Sequence, residues 1–69
     1  MTTAFGAAVR SVRVERAYSQ DGFAAHAGMD RSYYGAIERG EFNVSLGTVL
    51  KVAEGLEVPA HELLRRAGL

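Results

Sequence analysis

The sequence predicts an all-α domain of five short helices, and three observations lead to this fold class. The 69 residues combine 48% hydrophobic with 23% charged side chains, the balance of one small globular domain. One proline and eight scattered glycines leave little room for a sheet. Apolar residues recur at spacings of three and four behind polar residues that favour helix starts, which indicates amphipathic helices. We therefore expect a single domain over residues 1–69.

The first two helices are predicted from their inner faces and their ends. Around residues 3–16, one face carries the apolar side chains of Phe5, Val9 and Val12. Ser19 is a good N-cap for the second helix, and Gly28 supplies the left-handed conformation that helix ends favour. The inner face of this second helix consists of Phe23, Ala24 and Ala27.

A third helix follows after the short turn Gly-Met-Asp at residues 28–30. Asp30 is its N-cap, Gly40 stops it, and Tyr34 and Ile37 are its inner apolar residues. Two helices joined by so short a turn have the sequence form of a helix-turn-helix, here over about residues 19–39.

Two further helices complete the predicted fold. One starts at the N-cap Ser45 and ends near residue 56, with an apolar face made of Leu46, Val49, Leu50, Ala53 and Leu56. The other starts at Pro59, a favoured first helical residue, and ends near residue 67, with an apolar side made of Leu63, Leu64 and Leu69.

Residues 19–39 read SQDGFAAHAGMDRSYYGAIER, and this segment resembles the Cro and lambda-repressor type of helix-turn-helix, the Xre family. The similarity continues downstream: NVSL at residues 43–46 is similar to the family's Asn-Pro-Ser-Leu, and KVAEGL and ELL are similar to its fourth and fifth helices. The segments DRSYY, IER and GLEV are similar to the small stand-alone controller proteins of restriction–modification systems. The similarity spans about residues 5–64.

The resemblance implies a lambda-repressor-like, five-helix DNA-binding domain that regulates transcription. Such a domain would bind double-stranded DNA at a palindromic operator as a homodimer, as a cytoplasmic protein of a prokaryote or phage that associates with the nucleoid when bound. It would have no catalytic activity and no cofactor. Helices over residues 45–67 would serve packing and dimerisation.

Base-reading residues are expected in the N-terminal part of the third helix, as in other helix-turn-helix proteins. The residues expected to face outward and contact bases are Arg31, Ser32, Tyr33 and Ala36. Arg31 can donate two hydrogen bonds to guanine, worth about 1–3 kcal/mol against the wrong base. Tyr33 suits a phosphate or a thymine methyl group, and Ala36 allows close approach. In the alternative interpretation, Arg31 and Tyr33 are ordinary solvated side chains.

Contacts to the DNA backbone are expected from Ser19, Gln20, Arg39, Asn43 and Ser45. The family carries a backbone-contacting glutamine at the position of Gln20, and the amides at helix starts suit a phosphate. Alternatively, Gln20 is a simple exposed residue of the first turn, and Ser45 only caps its helix.

Arg13 and Glu38 are expected to have a structural role. In some phage-repressor members of the family, residues at these two positions form an ion pair that connects the first helix to the recognition helix. Removing one partner of a partly buried pair can cost about 3–5 kcal/mol. The alternative is that Arg13 is free to contact a phosphate.

A dimer interface is expected near the C-terminal end, where five apolar residues exceed what short helices readily hide: Leu56, Val58, Leu63, Leu64 and Leu69. A two-fold dimer would place two recognition helices about 34–36 Å apart, one turn of DNA. The alternative is that these residues complete the core of the monomer.

The net charge is the main argument against a nucleic-acid partner. Eight basic and eight acidic residues cancel, whereas affinity for DNA grows with the number of phosphates that a protein neutralises. Dimerisation would double the contacts. The alternative function is a protein-interaction module, such as an antitoxin or an adaptor, built on the same fold.

Other functional classes have little support in the sequence. There is no cysteine, the two histidines lack metal-ligand spacing, and no apolar run is long enough to cross a membrane. No catalytic motif or small-molecule site is evident. Three positions depart from the family: Ala17 and Glu57 stand where glycine is common, and Phe42 lies in a loop expected to face phosphates.

Overall fold

The computed structural model describes residues 2–41 and 43–68, which form five α-helices and no strand. Their bounds are α1 (Thr2–Glu15), α2 (Gln20–His26), α3 (Arg31–Arg39), α4 (Leu46–Leu56) and α5 (Ala60–Arg66). The all-α prediction is therefore confirmed, and the observed ends lie within about a residue of the predicted ones. Phe42 and Leu69, which the sequence singled out, lie outside the described residues.

Three predicted N-caps are present, and each satisfies a backbone amide that the helix cannot pair itself. The Ser19 hydroxyl accepts from the Gly22 N–H at 2.9 Å. The Asp30 carboxylate accepts from the Tyr33 N–H at 3.0 Å. The Ser45 hydroxyl accepts from the Thr48 N–H at 3.1 Å. Local side-chain chemistry thus sets the starts of α2, α3 and α4.

The helices surround a core in which α1 packs against both α3 and α5, α2 against α3, and α4 against α5. Gly6 explains how closely α1 approaches α3. A Cβ atom at this position would overlap the carbonyl oxygens of Ile37 and Glu38. The largest fully buried side chains come from all five helices: Tyr34, Phe5, Phe23, Ile37, Leu56, Leu63, Val9, Val12 and Val52.

The predicted inner face of α4 is wrong at two positions. Leu46 and Leu50 are 70% and 51% exposed, and the buried residues of this helix are Val49, Val52, Ala53 and Leu56. The sequence of α4 contains two overlapping apolar stripes, and a periodicity argument cannot choose between them. The domain covers only one of the two, because α1 and α5 pack against one side of the helix.

The predicted dimer interface is wrong for Leu56 and Leu63. Both side chains are fully buried in the core of the monomer, so they have no surface to offer to a partner. Val58 and Leu64 are half-buried and pack against the same core. For these two residues, a place in an interface stays a prediction.

Ala17 and Glu57, which replace the glycines common in the family, have left-handed backbone conformations with φ of 64° and 61°. A side chain in this region costs roughly 1–2 kcal/mol because its Cβ approaches the carbonyl oxygen. Glu57 ends α4, and Ala17 lies in the turn after α1.

We expect Ala17→Gly and Glu57→Gly each to raise the free energy of unfolding by about 1 kcal/mol, because glycine removes the Cβ overlap. Urea denaturation followed by circular dichroism measures the change. The control is Ala25→Gly on the exposed side of α2, which should lower stability by about 1 kcal/mol. A loss of stability at positions 17 and 57 similar to that at 25 would contradict the explanation.

Candidate nucleic-acid interface

The first turn of α3 presents polar side chains to solvent, as a helix that reads bases requires. Arg31, Ser32 and Tyr33 are exposed, whereas Tyr34 and Ile37 are buried on the opposite side. Asp30 caps this turn, which holds these side chains on a regular helix rather than on a loop. The structure thus places three of the four predicted base-reading residues on an accessible edge.

The fourth predicted base-reading residue, Ala36, is buried with 8% of its surface exposed, so the prediction is wrong for this residue. The preceding Gly35 is also buried, and a Cβ there would lie 3.0 Å from Arg39 Nη1 and 3.5 Å from Gln20 Oε1. Gln20 and Arg39 therefore cover the middle of the helix.

The two arginines on the accessible side of α3 form exposed ion pairs. Arg31 Nη1 lies 3.1 Å from Asp21 Oδ2, and Arg39 Nε lies 2.5 Å from Glu41 Oε2. Both members of each pair are more than half exposed, and exposed pairs of this kind contribute about 0–1 kcal/mol. A phosphate or a guanine edge can therefore replace either carboxylate at small cost.

Behind α3, a buried carboxylate connects three helices. Glu38 accepts from Arg13 Nε at 2.6 Å and Arg13 Nη2 at 3.2 Å, from Gln20 Nε2 at 3.1 Å, and from the Tyr34 hydroxyl. Arg13 also donates to the Tyr18 carbonyl at 2.8 Å. The side chains of Arg13 and Glu38 are only 10% and 3% exposed. The ion pair implied by the resemblance is present, and Arg13 is not free to reach a phosphate.

This network keeps Glu38 ionised. Burial by itself opposes ionisation, but hydrogen bonds from Arg13, Tyr34 and Gln20 outweigh it and hold the pKa of Glu38 below its usual value. Burial, together with the hydrogen bond to Glu38, raises the pKa of Tyr34, so its hydroxyl remains a donor. The hydrogen bond to Glu38 raises the pKa of Arg13.

Gln20, at the start of α2, contacts α3 at two residues, Glu38 and Gly35. One side-chain N–H is committed to Glu38, and its carbonyl oxygen lies over Gly35. The residue is half-buried rather than a freely rotating surface side chain. Ser19, directly before it, caps α2 with its hydroxyl. The internal hydrogen bond therefore fixes Gln20 beside α3.

A cleft of about 330 Å³ opens on this flank of α3, and it contains a cation that the sequence reasoning missed. Its lining consists of Arg10, Arg13, Gln20, Glu38 and Arg39. Arg13 is paired with Glu38 and Arg39 with Glu41, so the charge that Arg10 adds gives this cleft an excess of positive charge. Arg10 is exposed and lies one turn before Arg13 on α1, and this i, i+3 spacing was the available signal.

The start of α4 lies on the other flank of α3. Tyr33 Oη is 3.3 Å from Thr48 Oγ1, and the Ser45 hydroxyl donates to the same Thr48 oxygen at 3.0 Å. On an ideal helix, Tyr33 and Gly35 lie about 160° apart around the axis of α3. Two sets of polar groups therefore flank α3: the Arg10 cleft on one side, and the start of α4 on the other, with Asn43 exposed in the preceding loop.

Two other kinds of site were searched for within the described ranges. Over residues 2–41 and 43–68, no three His, Asp or Glu side chains converge as metal ligands. Within the same ranges, no helix has the length and hydropathy that crossing a membrane requires.

Comparison with known proteins finds relatives that contain a helix-turn-helix. The Helix-turn-helix family (HTH_3) matches residues 9–63 of the chain. Control protein C.MunI from Mycoplasma sp is 42% identical over 60 residues, which cover 86% of this chain and 81% of that protein. The restriction-modification controller protein C.AhdI from Aeromonas hydrophila has the same fold, with a TM-score of 0.85 and 42% identity over 90% of this chain and 94% of that one.

A longer relative contains the same domain. The hypothetical transcription factor of Neisseria meningitidis is 39% identical over 56 residues, which cover 81% of this chain and 53% of that protein. The chain therefore spans about half the length of this relative.

We expect the stability of the domain to fall in acid because Glu38 becomes protonated. The pKa of Glu38 lies below the value of 4.5 expected for an unfolded chain, so its charge stabilises the fold above about pH 4.5. This stabilisation is lost as the pH falls through the lowered pKa of the folded state. Urea denaturation at a series of pH values between about 7 and 3 measures the loss.

The variant Glu38→Gln should be less stable at neutral pH and should lose less stability in acid than the wild type. Glu41→Gln is the matched control, because Glu41 forms an exposed pair and its removal should leave most of the acid dependence in place. If Glu38→Gln had the acid dependence of the wild type, the buried carboxylate would not be its source.

Proposed function

Since this chain belongs to the Xre-type helix-turn-helix family, together with the control proteins of restriction–modification systems, we propose that it is a transcription regulator that binds a specific duplex DNA sequence. The observation that carries the proposal is the exposed first turn of α3 between two polar flanks. A helix of this kind fits the major groove, and the flanks meet the phosphates along its two edges.

Arg31, Ser32 and Tyr33 are the proposed base-contacting residues. Arg31 offers the two parallel donors that match guanine O6 and N7, and its exposed pair with Asp21 is weak enough to exchange. Ser32 can donate to or accept from several bases, so it discriminates less. Tyr33 stands at the edge beside Thr48, where its ring suits a thymine methyl group and its hydroxyl suits a phosphate.

The backbone contacts are proposed on the two flanks of α3. On one side, Gln20 at the start of α2 and Arg39 would hold a phosphate, with Arg10 as an added cation and Ser19 at the helix start. On the other side, the exposed loop and cap formed by Asn43 and Ser45 would contact the opposite strand. Contacts on both flanks would fix the register of α3 in the groove.

A homodimer on a palindromic site completes the proposal. One copy has zero net charge and few free cations, so a single copy would bind DNA weakly. Two copies double the phosphate contacts and read two half-sites about one helical turn apart. The proposed location is the cytoplasm, with the protein on DNA when bound, and no cofactor is required for this mode of binding.

One observation favours a second function. Both arginines on the accessible side of α3 are paired with carboxylates, and the chain is neutral, which would suit a protein partner better than a polyanion. In this case the domain would be an antitoxin or adaptor that uses the same fold to bind another protein.

Selection from a pool of random duplexes separates these two functions. We expect enrichment of a palindrome whose half-sites lie about 10 base pairs apart, with affinity that falls as salt rises. Far-UV circular dichroism confirms that the protein used is folded. A folded protein that enriches no common sequence would contradict the proposed function and support the protein-interaction module.

Arg31→Ala and Arg10→Ala should change DNA binding in different ways. Arg31→Ala should relax the preference at one position in each half-site, by about 1–3 kcal/mol, because it removes a base contact. Arg10→Ala should weaken binding to all duplexes about equally and lower the salt dependence by about one ion per copy, because it removes a phosphate contact. Competition binding at several salt concentrations measures both effects.

Arg16→Ala is the control, because Arg16 is exposed at the end of α1 but does not line the cleft. It should change affinity much less than Arg10→Ala. Unchanged sequence preference in Arg31→Ala, or equal losses in the variants at positions 10 and 16, would remove the corresponding residue from the proposed interface.

A further inference from the structure

The side chain of Arg39 lies across the surface of α3 rather than extending into solvent. Its Nη1 atom would be 3.0 Å from a Cβ at Gly35, one turn earlier on the same helix. Because Gly35 has no side chain, the guanidinium group can rest directly against the helix. Arg39 thus covers the middle of α3, where Gly35 and Ala36 are buried.

Glu41 holds the guanidinium group in this position. Gly40 ends α3 in a left-handed conformation with φ of 71°, which turns the chain back so that the Glu41 N–H donates to the Ala36 carbonyl at 3.1 Å. Arg39 then donates from Nε to Glu41 Oε2 at 2.5 Å and from Nη2 to Glu41 Oε1 at 3.4 Å. The end of the helix therefore places this carboxylate beside Arg39.

The donors that Glu41 occupies are those that a phosphate would use. The planar guanidinium group binds carboxylates and phosphates in the same way, with two parallel N–H groups. Arg39 also lines the cleft of Arg10 and Gln20, where a phosphate contact is proposed. Hydrogen bonds from Arg39 hold the pKa of Glu41 below its usual value, so Glu41 is a charged rival for this site at neutral pH.

The other exposed ion pairs lack one or the other of these features. Asp21 accepts one hydrogen bond from Arg31, at 3.1 Å. Glu15 accepts two hydrogen bonds from Arg66, at 2.8 and 3.0 Å, but this pair connects α1 to α5. Among the exposed pairs of the described residues, only that of Glu41 combines two hydrogen bonds with a place on α3.

We infer that Glu41 is an internal competitor of DNA, which takes the place of a phosphate on Arg39 in the free protein and keeps this side chain folded over the middle of α3. The inference deepens the proposed function and rests on it for the identity of the ligand. On binding, a phosphate replaces Glu41 on the guanidinium group. Arg39 then turns toward the DNA backbone, and the surface over Gly35 becomes accessible. Glu41 therefore lowers the affinity for DNA without contacting it.

Competition binding to the selected palindrome tests the inference at a fixed salt concentration. Glu41→Gln should bind about twofold to fivefold more tightly per bound copy, which is the range that an exposed ion pair can supply. Glu15→Gln is the matched control, because it removes the same charge from a pair of two hydrogen bonds away from α3. A gain at position 41 no larger than that at position 15 would overturn the inference.

A second background separates competition for Arg39 from simple repulsion between Glu41 and DNA. In Arg39→Ala there is no guanidinium group to release, so the added substitution Glu41→Gln should raise affinity less than it does in the wild type. If the carboxylate only repelled phosphates, its removal would help as much or more without Arg39. That result would overturn the role of Glu41 as a competitor.

The same measurements separate the inference from the proposed function. Far-UV circular dichroism confirms that each variant is folded, as expected for changes at exposed side chains. A folded wild type that binds no duplex contradicts the proposed function and the inference together. A wild type that enriches a palindrome, and whose affinity is unchanged by Glu41→Gln, overturns the inference alone.

Discussion

The position of α3 depends on one buried carboxylate. Glu38 receives hydrogen bonds from Arg13 of α1, Gln20 of α2 and Tyr34 of α3 itself, so three helices share one anion. A buried charge with all of its partners in place stabilises one arrangement of those helices, because any other arrangement would leave a charge or a polar group unpaired. Gln20 connects this network to the surface, and the angle of α3 and one flank of the candidate interface are therefore set together.

The exposed ion pairs of the candidate interface are weak, in contrast to the buried network around Glu38. Arg31 and Arg39 have carboxylate neighbours, but these pairs are open to solvent and weak. The chain has no net charge because its basic and acidic residues are equal in number, yet these two arginines are held only weakly by their carboxylates. Under the proposed function, each contact of Arg31 or Arg39 with DNA would first displace a carboxylate of the protein, which would favour specific sites over nonspecific polyanions.

The rotation of α4 about its axis decides which of its apolar side chains the domain covers. Val49, Val52, Ala53 and Leu56 fill the core, and this rotation leaves Leu46 and Leu50 outside. The same helix thus contributes to the hydrophobic core on one side and exposes two leucines on the other. The contact between Thr48 and Tyr33 connects α4 to the exposed first turn of α3.

The sequence by itself determined the helices, because caps such as Ser19, Asp30 and Ser45 act on amides three residues away and need no tertiary contact. It also determined the helix-turn-helix and the exposure of Arg31, since both follow from local spacing. Only the tertiary structure decided which apolar stripe of α4 is covered, that Ala36 is shielded, and that Arg10 shares a cleft with Gln20 and Arg39. These features depend on the rotation and approach of helices distant in sequence, which a periodic pattern leaves undetermined.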